Sequence, residues 1–373
     1  MQNQKGPRRC LISSGVCWML SGVTGVLTTA STGQCLLSRF VHLASLACAQ
    51  TAPPRSAGQA LPVKPAFYGL KEIKVENKFF KTIDGKTLAQ IFQVFNHDLY
   101  NHLKVHHYTR KESIFHILKS SILRMTHINK MNDPLEISFG IDVIKHILRK
   151  KSEYQHIIDF IDREIISTPI NLPVFVFSTS ADGDSHQQWI NYSDAGRGIS
   201  IEFDRKRLFR LIKNGMSNGQ FAYIYPIQYY SDSFKISQDP IRGFEDLIWK
   251  YLNKLLRSDL DTQDTSYYED VRSIIVLFAS MIKNDFHQAE REWRFLLIAQ
   301  EDDSNIEYLV HGNDIKPVYN QKLSDEFRKC VTGIMLGPNI TNDIIAENDM
   351  FNLVKAKIDI GREKVTRSRG QIR

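Results

Sequence analysis

Residues 290–298 read EREWRFLLI, and the spacing of charged and apolar side chains in this stretch decides what kind of fold the chain can form. In an extended strand, side chains two apart share a face. Glu290, Glu292 and Arg294 therefore point one way, and Arg291, Trp293, Phe295 and Leu297 the other. One face is charged where the strand begins. Working outward, PVFVFSTS (173–180), GRGISIEFD (196–204), AYIYPIQYY (222–230) and VTGIMLGP (331–338) read as further strands, with Pro226 predicting an edge or bulge. LKVHHY (103–108) reads as a short strand and NLVKAKID (352–359) as the last one. Helices come in blocks rather than once per strand. These patterns predict an α+β domain with a mostly antiparallel sheet and flanking helices.

The helix signals are local. Thr109-Arg110-Lys111-Glu112 has the form of a capping box, with Ile114, Ile117, Leu118 and Ile122 as one apolar face behind it. Asn132-Asp133-Pro134-Leu135-Glu136 opens a second helix, Asp133 as cap, Pro134 in the first turn and Glu136 reaching back. Capping accounts for all of that stretch except Asn132. Two more helical patterns cover 242–258 and 266–287, and a short one starts at Thr341.

Composition narrows the class. At 373 residues and 42% hydrophobic content the chain can bury a sizeable core. The net charge of +7 is misleading, because residues 1–65 hold six Lys or Arg and no Asp or Glu, leaving 42 basic against 41 acidic residues in 66–373. A near-neutral body gives no argument for a polyanion partner. Cys10, Cys17, Cys35 and Cys48 lie in that leader and only Cys330 follows, so the body has no disulfide framework and suits a reducing, cytoplasmic setting. The leader reads as a low-complexity segment or linker, expected to be disordered, closed by TAPPRSAGQALPVKP (51–65). A secretory signal ranks second, and a membrane anchor third, since its apolar run is short against the ~20 residues a span needs. A single domain is expected over 66–373, ending in a basic, solvated tail, REKVTRSRGQIR (362–373).

Three constellations carry candidate chemistry. In HHYT (106–109), His107 or His106 could donate to a ribose hydroxyl, with Tyr108 stacking or bonding beside it. FSTSADGDSHQQWINY (177–192) presents Ser178 and Ser180 at a strand end, then a helix capped by Asp184 or Ser185 with Trp189 and Tyr192 as an aromatic wall. Each has a plain alternative: a surface histidine pair, and core anchors beside a hairpin. His102 and His106 are spaced for a metal, but no third ligand stands at the right distance in sequence, and no metal is expected. Glu290 and Glu292 could steady an oxocarbenium-like ribosyl cation or serve as acid and base at a glycosidic bond. Their alternative is a solvated strand-end salt bridge with Arg291 and Arg294, worth at most about 1 kcal/mol.

Taken together, HYT before a helix, NDPLE, FSTS with WINY, EREWR, and KPVY followed by GIMLGP resemble an uncharacterised bacterial family known only as a domain of unknown function, over about residues 104–340. That pattern is similar, more distantly, to the ADP-ribosyltransferase fold. The resemblance implies NAD as a substrate held without a metal. Its contacts would be His107 and Tyr108 on a first strand, Ser178 and Ser180 on a second, and Trp189 and Tyr192 on the helix behind. Glu292 would be the leading catalytic carboxylate, replaceable by Gln at little cost in stability, with Glu290 orienting the acceptor. It further implies transfer to an unidentified macromolecule or to water, in a toxin or phage-defence effector, with a non-catalytic nucleotide-binding or sensor module as the alternative.

Overall fold

Apolar residues recurring at alternate positions form the strands, and Gly, Pro, Asn and Asp between them set the turns. The computed structural model describes residues 104–131, 135–165, 172–217, 219–239, 241–257, 265–300, 302–311, 314–341, 343–358 and 360–370. All belong to one compact unit, Gly69–Arg373. The leader, His102 and Asn132 to Pro134 lie outside the described residues.

In chain order the elements are β1 (Lys104–Thr109), α1 (Lys111–Ser120), β2 (Ile122–His127), α2 (Glu136–Arg149), α3 (Gln155–Phe160), β3 (Val174–Ser180) and α4 (His186–Tyr192). Then come β4 (Ile199–Asp204), α5 (Arg205–Asn214), β5 (Phe221–Pro226), β6 (Gln228–Tyr230), β7 (Ile236–Gln238), α6 (Phe244–Arg257) and α7 (Thr265–Ala279). The last are β8 (Ile282–Asn284), β9 (Glu292–Ile298), β10 (Ile306–His311), β11 (Asp314–Lys322), β12 (Val331–Leu336), α8 (Asp343–Lys355) and β13 (Val365–Arg367). The architecture is mixed α/β with a mostly antiparallel sheet and flanking helices.

Among the described residues ten strands make the main sheet, in the order β10-β11-β2-β3-β1-β4-β12-β13, with β9 on β3 and β5 on β9. The sheet forks at β3. Strand β9 runs along one edge of β3 from Val174↔Ile298 to Ser180↔Glu292. On the other edge β2 pairs only at Phe175 and Val176, and β1 only at Ser180. Between them Phe177, Ser178 and Thr179 have no strand partner on that side among the described residues. The imidazole of His107 enters the gap and its Nδ1 bonds the Ser178 carbonyl at 3.0 Å.

Two cores lie on the two faces. Val174, Val176, Leu296 and Ile298 face one built with α2, α6 and α7; Phe175, Phe177, Phe295 and Leu297 face the other, with α1, α5 and α8. The expected alternation in β9 holds from Glu292 onward. Arg291 departs from it: it is exposed and left-handed at φ 45, closing a 3₁₀ turn over Asp285–Glu290. Pro226 ends β5, and after Ile227 the chain leaves for a second sheet, β7-β6-β8.

Several local expectations give way to tertiary context. Thr109 belongs to β1 and α1 starts without a side-chain cap, so no capping box forms, although Ile114, Ile117 and Leu118 are buried as expected. Ile122 opens β2. The helical pattern over 266–287 stops at Ala279, since Ser280 to Asn284 turn back to pair β8 with β6. NLVKAKID is not a strand: α8 runs through its first four residues to Lys355.

The tail is docked in part: Val365 and Ser368 are buried, while Arg362 to Lys364, Thr366, Arg369 and Gly370 are exposed. Val365–Arg367 pair in parallel with Ile334–Leu336 of β12. Beyond them Asp184 accepts from the Ser368 hydroxyl at 2.5 Å and the Arg369 N–H at 3.0 Å. Deleting residues 365–373 should therefore destabilise the fold by about 2–4 kcal/mol, from lost burial of Val365 and lost bonds to a charged carboxylate. Urea denaturation checks this; a shift within about 0.5 kcal/mol would return the segment to a solvated tail.

Candidate functional site

The fork opens into a cavity of about 620 Å³ whose wall draws on β1, β2, β3, α4, β8 and the turn before β9. Its base is ionic. Arg294, with no exposed surface, grips Glu292 bidentately, Nε to Oε1 at 2.8 Å and Nη2 to Oε2 at 2.9 Å, and donates to the Ser280 carbonyl at 2.8 Å. Its Nη1 also meets Glu136. Lys283 lies among three carboxylates: Glu290 at 2.6 Å, Glu292 at 3.0 Å and Glu136 at 3.6 Å. Among the described residues the cluster joins three acids to two bases.

Electrostatics favour the charged forms of Glu292, Lys283 and Arg294. Burial opposes ionisation of Glu292, but Arg294 and Lys283 outweigh it and hold the carboxyl well below the usual range. Burial likewise works against charge on Lys283 and Arg294, and the surrounding glutamates reverse it, raising both. This is neither a solvated salt bridge nor a carboxylate that Gln can replace cheaply. Both oxygens of Glu292 are bound to cations, and breaking a buried pair costs several kcal/mol.

Glu290 is held differently. Its Oε2 takes the Lys283 ammonium, while Oε1 accepts the Tyr192 hydroxyl at 3.0 Å and lies 3.6 Å from His287 Nδ1. Burial and the Glu290 charge push the Tyr192 hydroxyl up, keeping it a donor. The main chain is pinned too, as the Glu290 carbonyl accepts from Ser180 Oγ at 2.7 Å.

Of the residues singled out in the sequence, His106, His107, Tyr108, Ser178, Tyr192, Glu290 and Glu292 line the cavity. Ser180 and Trp189 do not. Ser180 spends its hydroxyl on the Glu290 carbonyl and the Asp182 N–H. Trp189 is a core anchor, 1% exposed, edge-on to Tyr108 and donating to Asp184 at 2.7 Å. Tyr108 reaches the wall with its hydroxyl already used, donating to the Asp182 carbonyl and accepting from the Ser185 N–H. Burial lowers the pKa of His107, and of His106 despite the nearby Glu202, so both favour the neutral imidazole. Ser178 Oγ is buried with no hydrogen-bond partner of good geometry among the described residues, and it lies close enough to Glu292 to favour its charge.

Six ionisable residues of the lining were not picked out as site residues. Glu136 reads as a helix-capping residue but turns its carboxylate to Arg294 and Lys283. Lys283 lies within an apparent helix, and His287 beside it on the 3₁₀ turn. Arg124, exposed, lines the cavity, as do the half-buried Lys130 and Lys316. The cavity lining thus holds bases as well as the buried ionic network, and one of those bases, Lys130, is paired with Asp314 at 2.7 Å. Among the described residues no cluster of His, Cys, Asp or Glu could hold a metal ion, and no helix is long and apolar enough to cross a membrane.

Residues 188–295 match the model of a family described as a protein of unknown function, DUF2971. The match begins at Gln188 on the cavity wall and ends at Phe295, taking in Lys283, His287, Glu290 and Glu292. No curated protein and no solved structure matches the chain.

Proposed function

We propose that the cavity binds NAD or a related nucleotide and cleaves its nicotinamide–ribose bond, transferring ADP-ribose to an acceptor or to water. The observation that carries this reading is the convergence of three motifs on one cavity from adjacent strands: His106 to Tyr108 on β1, Ser178 on β3, and Glu290 and Glu292 at β9. Such a cleavage needs a clamp for the dinucleotide and a negative charge near the ribosyl cation, with no covalent nucleophile. Arg124 and Lys316 suit the diphosphate, and the carboxylate base suits the cation, whereas Lys130 is already paired with Asp314 at 2.7 Å. Between the glutamates the roles shift from the sequence expectation. Glu292 has its oxygens committed to Arg294 and Lys283 and serves as a fixed structural anion, whereas Glu290 keeps acceptor capacity on Oε1. A cytoplasmic effector suits a body whose single cysteine, Cys330, is a buried free thiol.

The complete pairing of Glu292 favours a second reading, a non-catalytic nucleotide-binding or sensor module. Calorimetry with NAD and a nicotinamide-release assay with cell extract separate the two. Binding with release supports the enzyme, binding without release supports the module, and no binding by either NAD or ADP-ribose sinks both.

A further inference from the structure

We infer that the open edge of β10 pairs with the same edge of a second copy of this chain, antiparallel, about a two-fold axis through Leu309. Strand β10 ends the main sheet: it pairs with β11, and its other edge has no strand partner among the described residues. In turn β11 meets β2 only over 318–322, so 308–311 and 314–317 run on past β2 as a two-stranded ribbon. The Lys130 ammonium holds its tip at Asp314, 2.7 Å away. Two strands alone are marginal in water. Exposed edges are commonly blunted by proline or lysine, and Ile306–His311 (IEYLVH) has neither; Pro317 stands on β11 instead. Three large apolar side chains are in water there, Val310 at 81%, Tyr308 at 69% and Ile315 at 58% exposure. They share one face, since Val310 is opposite Ile315 and Tyr308 opposite Pro317. Such a patch marks an interaction surface.

The pattern of the edge selects a second copy as its occupant. A two-fold axis normal to the sheet keeps each side chain on its own face, so the register must centre on a residue. Centring on Leu309 sets Tyr308 opposite Val310 of the second copy, and Val310 opposite its Tyr308. The row across four strands then reads Ile315, Val310, Tyr308, Pro317, apolar throughout. The same register sets Glu307, the one acid of β10, opposite position 311, a histidine. Centring on Tyr308 would instead set Glu307 against Leu309. An edge of 6 residues buries less than a standard interface, so the dimer should be weak and concentration-dependent.

Sedimentation of the full chain should show a monomer–dimer equilibrium, with dimer dominant by about 100 µM. Tyr308→Lys with Val310→Lys places like charges opposite one another across the axis and should raise the dissociation constant about tenfold or more. Tyr308→Glu with Val310→Lys places opposite charges there and should recover most of that loss. All three changes fall at exposed positions, where substitution costs the fold little. Cross-linking reads the register separately. In a chain with Cys10, Cys17, Cys35 and Cys48 replaced by serine, Leu309→Cys faces its own copy and should oxidise to a covalent dimer. Glu307→Cys, about 14 Å from its copy in this register, should not. A wild type that stays monomeric at the concentration given, a dimer that survives the paired lysines unchanged, or cross-linking no better at 309 than at 307 overturns the pairing.

Discussion

Arg294→Met is expected to cost about 3–5 kcal/mol of folding stability, measured as a shift in the urea midpoint at constant slope. The arginine is fully buried, pairs with Glu292 and Glu136, and donates to the Ser280 carbonyl. Removing it strands two buried carboxylates, with Lys283 left to balance them among the described residues. The double variant Glu292→Met, Arg294→Met should recover part of the loss, because no half-pair is left behind. Acid sensitivity gives a second measure. The folded-state pKa of Glu292 is depressed, so its contribution is present above the unfolded glutamate value of about 4.3 and fades as pH falls through the folded one. In the Arg294→Met protein this part of the acid limb should flatten. A cost below about 1 kcal/mol would mean that the pair behaves as a solvated one.

That buried network also shows where sequence reading stops. Period-two alternation made β9 legible, including the separation of Glu292 and Arg294 from Trp293, Phe295 and Leu297. The charges were legible but their burial was not, since the cover comes from Glu136 and Lys283, distant in sequence. Glu136 was hidden by a local explanation: a residue that fits a capping pattern gives no sign that its side chain is needed elsewhere. Lys283 was hidden by the apolar run before it, which continues a helical period through Ala279, whereas β8 forms only because β6 offers an edge. The fork at β3 is likewise a property of pairing, as β1 and β2 share one edge of a strand that looks uniform in sequence. Ser178 and Ser180 illustrate the consequence. Alternation puts both on one face, but only Ser178 lies beside the gap and reaches the cavity, while Ser180 is taken up by the Glu290 main chain.

Glu290→Gln should reduce nicotinamide release by about 100-fold or more while leaving NAD affinity within a few-fold of the wild type. The amide keeps the shape of the side chain and retains an oxygen for Lys283 or Tyr192, so what disappears is the negative charge beside the cavity. That charge matters most when the ribosyl group becomes cationic, which is why the loss should appear in kcat rather than in KM. A modest loss of stability, about 1–3 kcal/mol, accompanies it as one hydrogen bond to the buried ammonium weakens. Tyr192→Phe provides the control: it removes a donor to the same oxygen but keeps the carboxylate, and should retain most of the turnover. Glu292→Gln should show the opposite balance, a loss of stability larger than that of Glu290→Gln because it disrupts the bidentate bond to Arg294. If Glu290→Gln retains full turnover while Glu292→Gln, still folded, loses it, the catalytic role returns to Glu292 and the ion pair must open when the nucleotide binds. If neither substitution slows an active wild type, carboxylate stabilisation of a ribosyl cation is wrong for this cavity.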